Sequence, residues 1–153
     1  MKERLNYAAL VPESLNAMLA LEKYVANSGL EHSLYELVKT RASQINKCGY
    51  CLDMHTKEAR KAGETEQRLY ALSAWKEAPF YTDKERAALA WTESLTLISE
   101  NDVPDSLYEA TLKHFNETEL VALTMAIVAI NGWNRLAVSF RKVPGSYKVQ
   151  EDK

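Results

Sequence analysis

Apolar residues recur at intervals of three and four along this chain, and no segment shows the period-two alternation of a half-buried strand. That pattern constrains the fold more than any other feature, because a helical stripe laid out as a strand would turn much of its apolar surface to water. Punctuation divides it into six or seven helices. Pro12 suits the first turn of a helix over Glu13–Asn27, which carries Leu15, Met18, Leu19, Leu21 and Val25 on one face and is stopped by Gly29. Ser33-Leu34-Tyr35-Glu36 has the form of a capping box, opening a helix with Leu34, Leu37, Val38, Ala42 and Ile45 on its stripe. Asn46 and Lys47 read as a tight connection into a third helix, from Cys48 to Ala62, which Gly63 stops.

Thr65 opens a short helix that ends before Pro79, and Thr82-Asp83-Lys84-Glu85 is a second capping box for a helix reaching about Ser99. Another runs from near Pro104 to Phe115. The last begins at an Asn116 cap with Glu119 and continues through Leu120, Leu123, Thr124, Ile127, Ile130 and Asn131 towards Phe140. Pro144 and Gly145 end it, leaving a polar tail to Lys153 that is expected to be loosely held. The expected class is all-α, a single domain over residues 1–153 with connections short enough for antiparallel neighbours. At this length one core suffices, and helices this amphipathic are expected to bury part of their apolar surface in contacts between subunits.

A net charge of −2 with no basic stripe argues against nucleic acid as a partner. No apolar stretch reads as long enough to span a bilayer, and Met1-Lys2-Glu3-Arg4-Leu5-Asn6-Tyr7 lacks the apolar run of a signal peptide. The expected compartment is the cytoplasm, where neighbouring thiols stay reduced unless they turn over.

The chain has two cysteines, and both fall in one C-x-x-C pair, Cys48 and Cys51, with His55 four residues on. Thiolate is the reactive form of cysteine, and a helix N-terminus favours it through unpaired N–H groups and the helix dipole. An offset of three places both sulfurs on one face, close enough to form a disulfide. His55, one turn beyond Cys51, can take the thiol proton, and a carboxylate can hold its tautomer. Glu36 is the candidate. It lies about ten residues before the Asn46-Lys47 turn and His55 about eight after it, so their depths along an antiparallel hairpin differ by roughly 3 Å. A capping role for Glu36 competes with this one. His32 and His114 have no such partners and read as structural. Cys48, Cys51 and His55 could also supply three zinc ligands, although no second cysteine pair exists to close a tetrahedral site. Trp91 and Trp133 read as core or interface aromatics. Asn131 and Asn134, polar groups in an otherwise apolar helix, need partners if buried and can line a pocket or fix a subunit contact; the sequence does not choose, and it leaves the role of Arg135 open.

The run from Glu36 to His55, E-L-V-K-T-R-A-S-Q-I-N-K-C-G-Y-C-L-D-M-H, resembles the core of the AhpD-like alkylhydroperoxidases of the carboxymuconolactone decarboxylase superfamily. The run Ala129–Val138, A-I-N-G-W-N-R-L-A-V, is similar to the C-terminal helix of its small members. The resemblance implies an all-helical homo-oligomer, a trimer or hexamer, that reduces hydroperoxides with no haem, flavin or metal cofactor. It implies that Cys51 attacks peroxide and passes through a sulfenic acid, that Cys48 resolves it, and that Glu36 and His55 relay protons. An external dithiol, lipoyl-type or thioredoxin-like, would restore the thiols. Tyr50 departs from the pattern, standing where the family's namesake peroxidase has histidine. Two other readings remain: a redox-sensing oligomer whose dithiol gates assembly, and an enzyme acting on a small carboxylate or lactone.

Overall fold

The computed structural model describes residues 2–149, and among these the regular structure is entirely helical. Eight α-helices run in the order α1 (Tyr7–Leu10), α2 (Pro12–Ala26), α3 (His32–Ile45), α4 (Gly49–Lys61), α5 (Glu66–Ala71), α6 (Asp83–Thr96), α7 (Asp105–Leu112) and α8 (Glu117–Phe140), with a 3-10 turn, Leu72–Ala74, after α5. One helix more than expected is present, so the cysteine pair begins the fourth helix rather than the third. The addition is α1, four residues capped by the Asn6 side chain with none of them buried. A single turn shows no periodicity, and its Asn cap is an ordinary turn signal.

Pro12 occupies the first turn of α2 as expected, and Thr65, Thr82 and Asn116 each cap the helix they precede. The boxes Thr82–Glu85 and Asn116–Glu119 are both reciprocal. The expected box at Ser33–Glu36 does not form. Helix α3 starts two residues earlier than that box requires, at His32, and Ser33 Oγ donates to Glu31 Oε1 instead (2.7 Å). Glu36 is thereby carried past the first turn and buried.

Helix α3 is the axis of the fold, packing against α4, α6 and α8. Nine of its residues, Glu36 and Lys39 among them, are buried. Leu34 and Val38 join Ala88, Trp91, Phe115, Leu120, Leu123 and Ile127 in a core shared by α3, α6 and α8. Leu37 meets Leu72, Trp75, Tyr81 and Leu89 beneath the 3-10 turn. Tyr35 meets Val25, Ala126 and Ala129 on the α2 side. Helix α8 is long and apolar enough, by length and composition, to cross a membrane, which corrects the reading that no segment is. Asn131, Asn134 and Arg135 interrupt its apolar run in the sequence, but the helix continues through them, and its buried residues pack as those of a core helix do. Leu10, Val11 and Leu19 on α1–α2, and Val121 and Val128 on α8, are exposed.

The turn between α3 and α4 is tightly specified. Lys47 N–H donates to Gln44 O (3.2 Å) and Cys48 N–H to Ser43 O (3.0 Å), the bond pattern of a Schellman motif. Lys47 adopts the left-handed conformation, with φ +55°. From α8, Asn131 and Asn134 each accept from Asn46 Nδ2 (3.0 and 2.9 Å), and Asn134 donates to Ser43 Oγ (3.0 Å). The two asparagines therefore serve a bridge within the chain that fixes the turn delivering Cys48. The tail is held as far as Tyr147. Gly145 N–H donates to Asp53 Oδ2 (3.0 Å), Lys57 Nζ to Tyr147 O (3.1 Å) and Tyr147 to Glu58, strapping it across α4. Residues 150–153 of the expected loose tail lie outside the described residues.

Because Lys47 carries a Cβ in a conformation that suits glycine, Lys47→Gly is expected to raise the unfolding free energy by about 0.5–1 kcal/mol, the relieved strain exceeding the added chain entropy. Urea denaturation of the two proteins measures it.

Candidate active site

Cys48 is the N-cap of α4, and its Sγ accepts the N–H of Cys51 at 3.3 Å. The two cysteines are joined as a disulfide, with Cα atoms 5.4 Å apart. Both are almost fully buried, packed with Ala137 of α8 and the ring of Tyr50. One turn further along α4, His55 is buried as well.

The α3–α4 hairpin brings Glu36 to His55, as the depth argument expects. Glu36 Oε2 lies 3.3 Å from His55 Nδ1. The approach is close but poorly aligned, so neither atom makes a directed hydrogen bond. The other oxygen, Oε1, is 2.6 Å from Lys39 Nζ and 3.8 Å from His32 Nε2. The structure thus brings Glu36, Cys48, Cys51 and His55 together, and adds neighbours that the sequence reading passed over.

Lys39 is the first of these. It sits beneath the surface with its ammonium 3.8 Å from the centroid of the Tyr35 ring and 3.8 Å from Glu22 Oε1. Glu22, on α2, accepts from Tyr35 Oη (2.5 Å) and Trp133 Nε1 (3.1 Å). Trp133 is therefore tied into this network, whereas Trp91 is a core residue bonded to Thr124 (3.0 Å). His32 is the second. Expected to have no partner, it stands exposed at the solvent edge of Glu36. The only available signal was spacing: Lys39 lies three residues after Glu36 and His32 four before it, both offsets that put side chains on one helix face.

Burial pushes the Glu36 carboxyl up, but the His55 contact and the Lys39 ammonium outweigh it and hold the pKa below the usual range. Burial pushes His55 down. Glu36 pulls it back up, Lys39 opposes that pull, and the net direction is downward. Tyr50, packed against the two cysteines, lies under the Lys142 ammonium at 5.2 Å, its hydroxyl pKa raised by burial and then by Asp53. A surface cleft of about 330 Å³, lined by Ser33, Ala59, Gly63, Arg68 and Thr82, reaches Glu36 from outside.

The sequence model of the Carboxymuconolactone decarboxylase family matches residues 12–94, which span the whole cluster except the α8 side. The chain belongs to that family. Its relatives include the uncharacterized protein YdfG of Bacillus subtilis, 45% identical over 139 residues, covering 91% of this chain and 95% of YdfG. The alkyl hydroperoxide reductase AhpD of Streptomyces coelicolor is 39% identical over 69 residues, 43% of this chain and 39% of that protein. Among solved structures of the fold, a protein of unknown function from Agrobacterium tumefaciens, described as a candidate antioxidant defence protein AhpD, superposes with a TM-score of 0.92. It is 48% identical, over 95% of this chain and all of that one. The debrominase Bmp8, at 16% identity and a TM-score of 0.80 over 90% of this chain and 74% of its own, shares the fold alone.

Folded, both His55 and Glu36 bind their protons more weakly than in the unfolded chain, so the unfolded state takes up more protons as pH falls and stability drops. The His55 contribution begins to be lost near pH 6.5 and the Glu36 contribution below pH 4.5. Urea denaturation of the disulfide form at about pH 7.5 and 5.5 should show a loss of stability that is smaller in His55→Gln.

Proposed function

We propose that this protein is a thiol peroxidase that reduces alkyl or hydrogen peroxide through Cys51 and Cys48. The observation that carries the reading is a buried C-x-x-C at a helix N-terminus, with His55 one turn along and Glu36 against its Nδ1. The AhpD relatives support the same chemistry. Under this reading, neutral His55 takes the Cys51 proton. The thiolate attacks the distal oxygen of ROOH, the O–O bond breaks, and Cys51 becomes a sulfenic acid while the alkoxide leaves as ROH with a proton from the relay. Cys48 then attacks the Cys51 sulfur, the S–O bond breaks, water leaves, and the disulfide forms. An external dithiol supplies two electrons and two protons to restore both thiols.

Each residue has a stated part. The N-terminus of α4 favours thiolate, His55 moves the proton, and Glu36 orients and stabilises the imidazolium. The exposed Leu10, Leu19, Val121 and Val128 support a homo-oligomer as the working form.

Hydroperoxide consumption with a panel of dithiol reductants tests the reading. Cys51→Ser should abolish turnover, Cys48→Ser should consume one equivalent and leave a sulfenic acid trappable by dimedone, and His55→Gln should lower kcat/KM by about 10²–10⁴-fold. Unchanged turnover in Cys51→Ser overturns it.

A further inference from the structure

The relay as read from the sequence contains a histidine and a carboxylate but no counter-charge, and a carboxylate against a buried histidine favours the imidazolium while burial opposes it. An imidazolium cannot accept the Cys51 proton. Lys39 supplies what is missing. Its Nζ is 2.6 Å from Glu36 Oε1, on the opposite side of the carboxylate from the 3.3 Å contact with His55 Nδ1. All three side chains are less than a tenth exposed, so water screens none of these interactions well.

We propose that Lys39 is a charge-balancing positioning residue, whose ammonium neutralises Glu36 so that His55 remains a neutral base. This rests on the peroxidase reading for its purpose but not for its physics. Across the cleft that reaches Glu36, Arg68 of α5 is paired with Glu64 and with Glu85 of α6. From α2, Glu22 opposes Lys39 at 3.8 Å, but it is less buried and both its oxygens are engaged by Tyr35 and Trp133. From α3, His32 meets Oε1 at 3.8 Å from the solvent edge, and the Tyr35 ring lies against the ammonium. From α4 the disulfide is uncharged and Glu58 is bonded to Tyr147 of the strap, whose hydroxyl titrates well above neutrality. Among the described residues, Lys39 is the one lysine or arginine in direct contact with Glu36. The burial of a lysine, otherwise costly, has a physical reason here.

The test follows the His55 imidazole by NMR as a function of pH, in the disulfide form and without turnover. The chain has three histidines, and the His55→Gln spectrum assigns the signal. Wild-type His55 should titrate below the ordinary value of about 6.5, and Lys39→Met should move it above 6.5, a rise of roughly one to three units. A variant that merely opened the site to water would bring the midpoint to about 6.5 and no higher. Lys39→Arg, which keeps the charge, should stay below 6.5, and Glu36→Gln/Lys39→Met, which removes both charges, should fall back below it. Lys39→Gln still donates to Glu36 without charge and serves as the second neutral variant should Lys39→Met not fold. A midpoint at or below 6.5 in either folded neutral variant overturns the proposal. If the wild type consumes no hydroperoxide while the His55 shifts are as stated, the peroxidase reading fails and the role of Lys39 stands. If turnover is normal and the shifts are absent, the reverse holds.

Discussion

An ion pair buried in the middle of α3, Glu36 with Lys39, is the interaction around which the other helices must arrange themselves. Each charge taken from water costs several kcal/mol unless it is compensated, and two side chains on one helix do not saturate each other. Helix α4 must therefore approach on one side with His55, and α2 on the other with Glu22, itself held by α3 and α8. Removing a single member leaves an unpaired charge, at a cost of about 3–5 kcal/mol. The pair adds little net stability over an apolar core. What it adds is a requirement: α2 must bring Glu22 and α4 must bring His55 to these charges, and the placement that does so holds His55 against Glu36.

The extent to which the site was legible follows from which geometry a sequence encodes. Cys48, Cys51 and His55 share one helix, so an offset of three and one of four are enough to place them together. Glu36 required a second step, the assumption that Asn46-Lys47 reverses the chain, and its depth then followed from rise per residue. Lys39 and Glu22 were not legible. The apolar stripe Leu34, Leu37, Val38, Ala42 and Ile45 describes one face of α3, whereas this helix packs against several neighbours and Tyr35, Glu36, Lys39, Thr40 and Ser43 are buried too. Burial beyond the stripe is a property of the assembled bundle and leaves no mark in the period of one segment. Ser33-x-x-Glu36 misled for a related reason. The local pattern favours a cap there, and burial of Glu36 overrides it.

The asparagines of α8 show the same division between local and assembled information. Asn131 and Asn134 were visible as polar residues in an apolar helix, and their burial implied partners. Which partners depended on α8 crossing the end of α3, where Asn46 and Ser43 present the matching groups. The outcome is a polar clamp on the turn that precedes Cys48. The left-handed Lys47 is held within that clamp, a conformation few sequence rules would assign to lysine.

Cys48 ends one helix connection and begins the next helix, and its sulfur is the acceptor that caps α4. One atom is therefore both a reagent and a structural part. Oxidation, reduction or replacement of this sulfur changes the first turn of the helix carrying Cys51 and His55, along with the chemistry. Serine retains an acceptor at that place, and alanine forfeits about 1 kcal/mol of helix stability there. The two substitutions at Cys48 are consequently not equivalent probes: alanine confounds a missing thiol with a frayed helix, and serine separates the two.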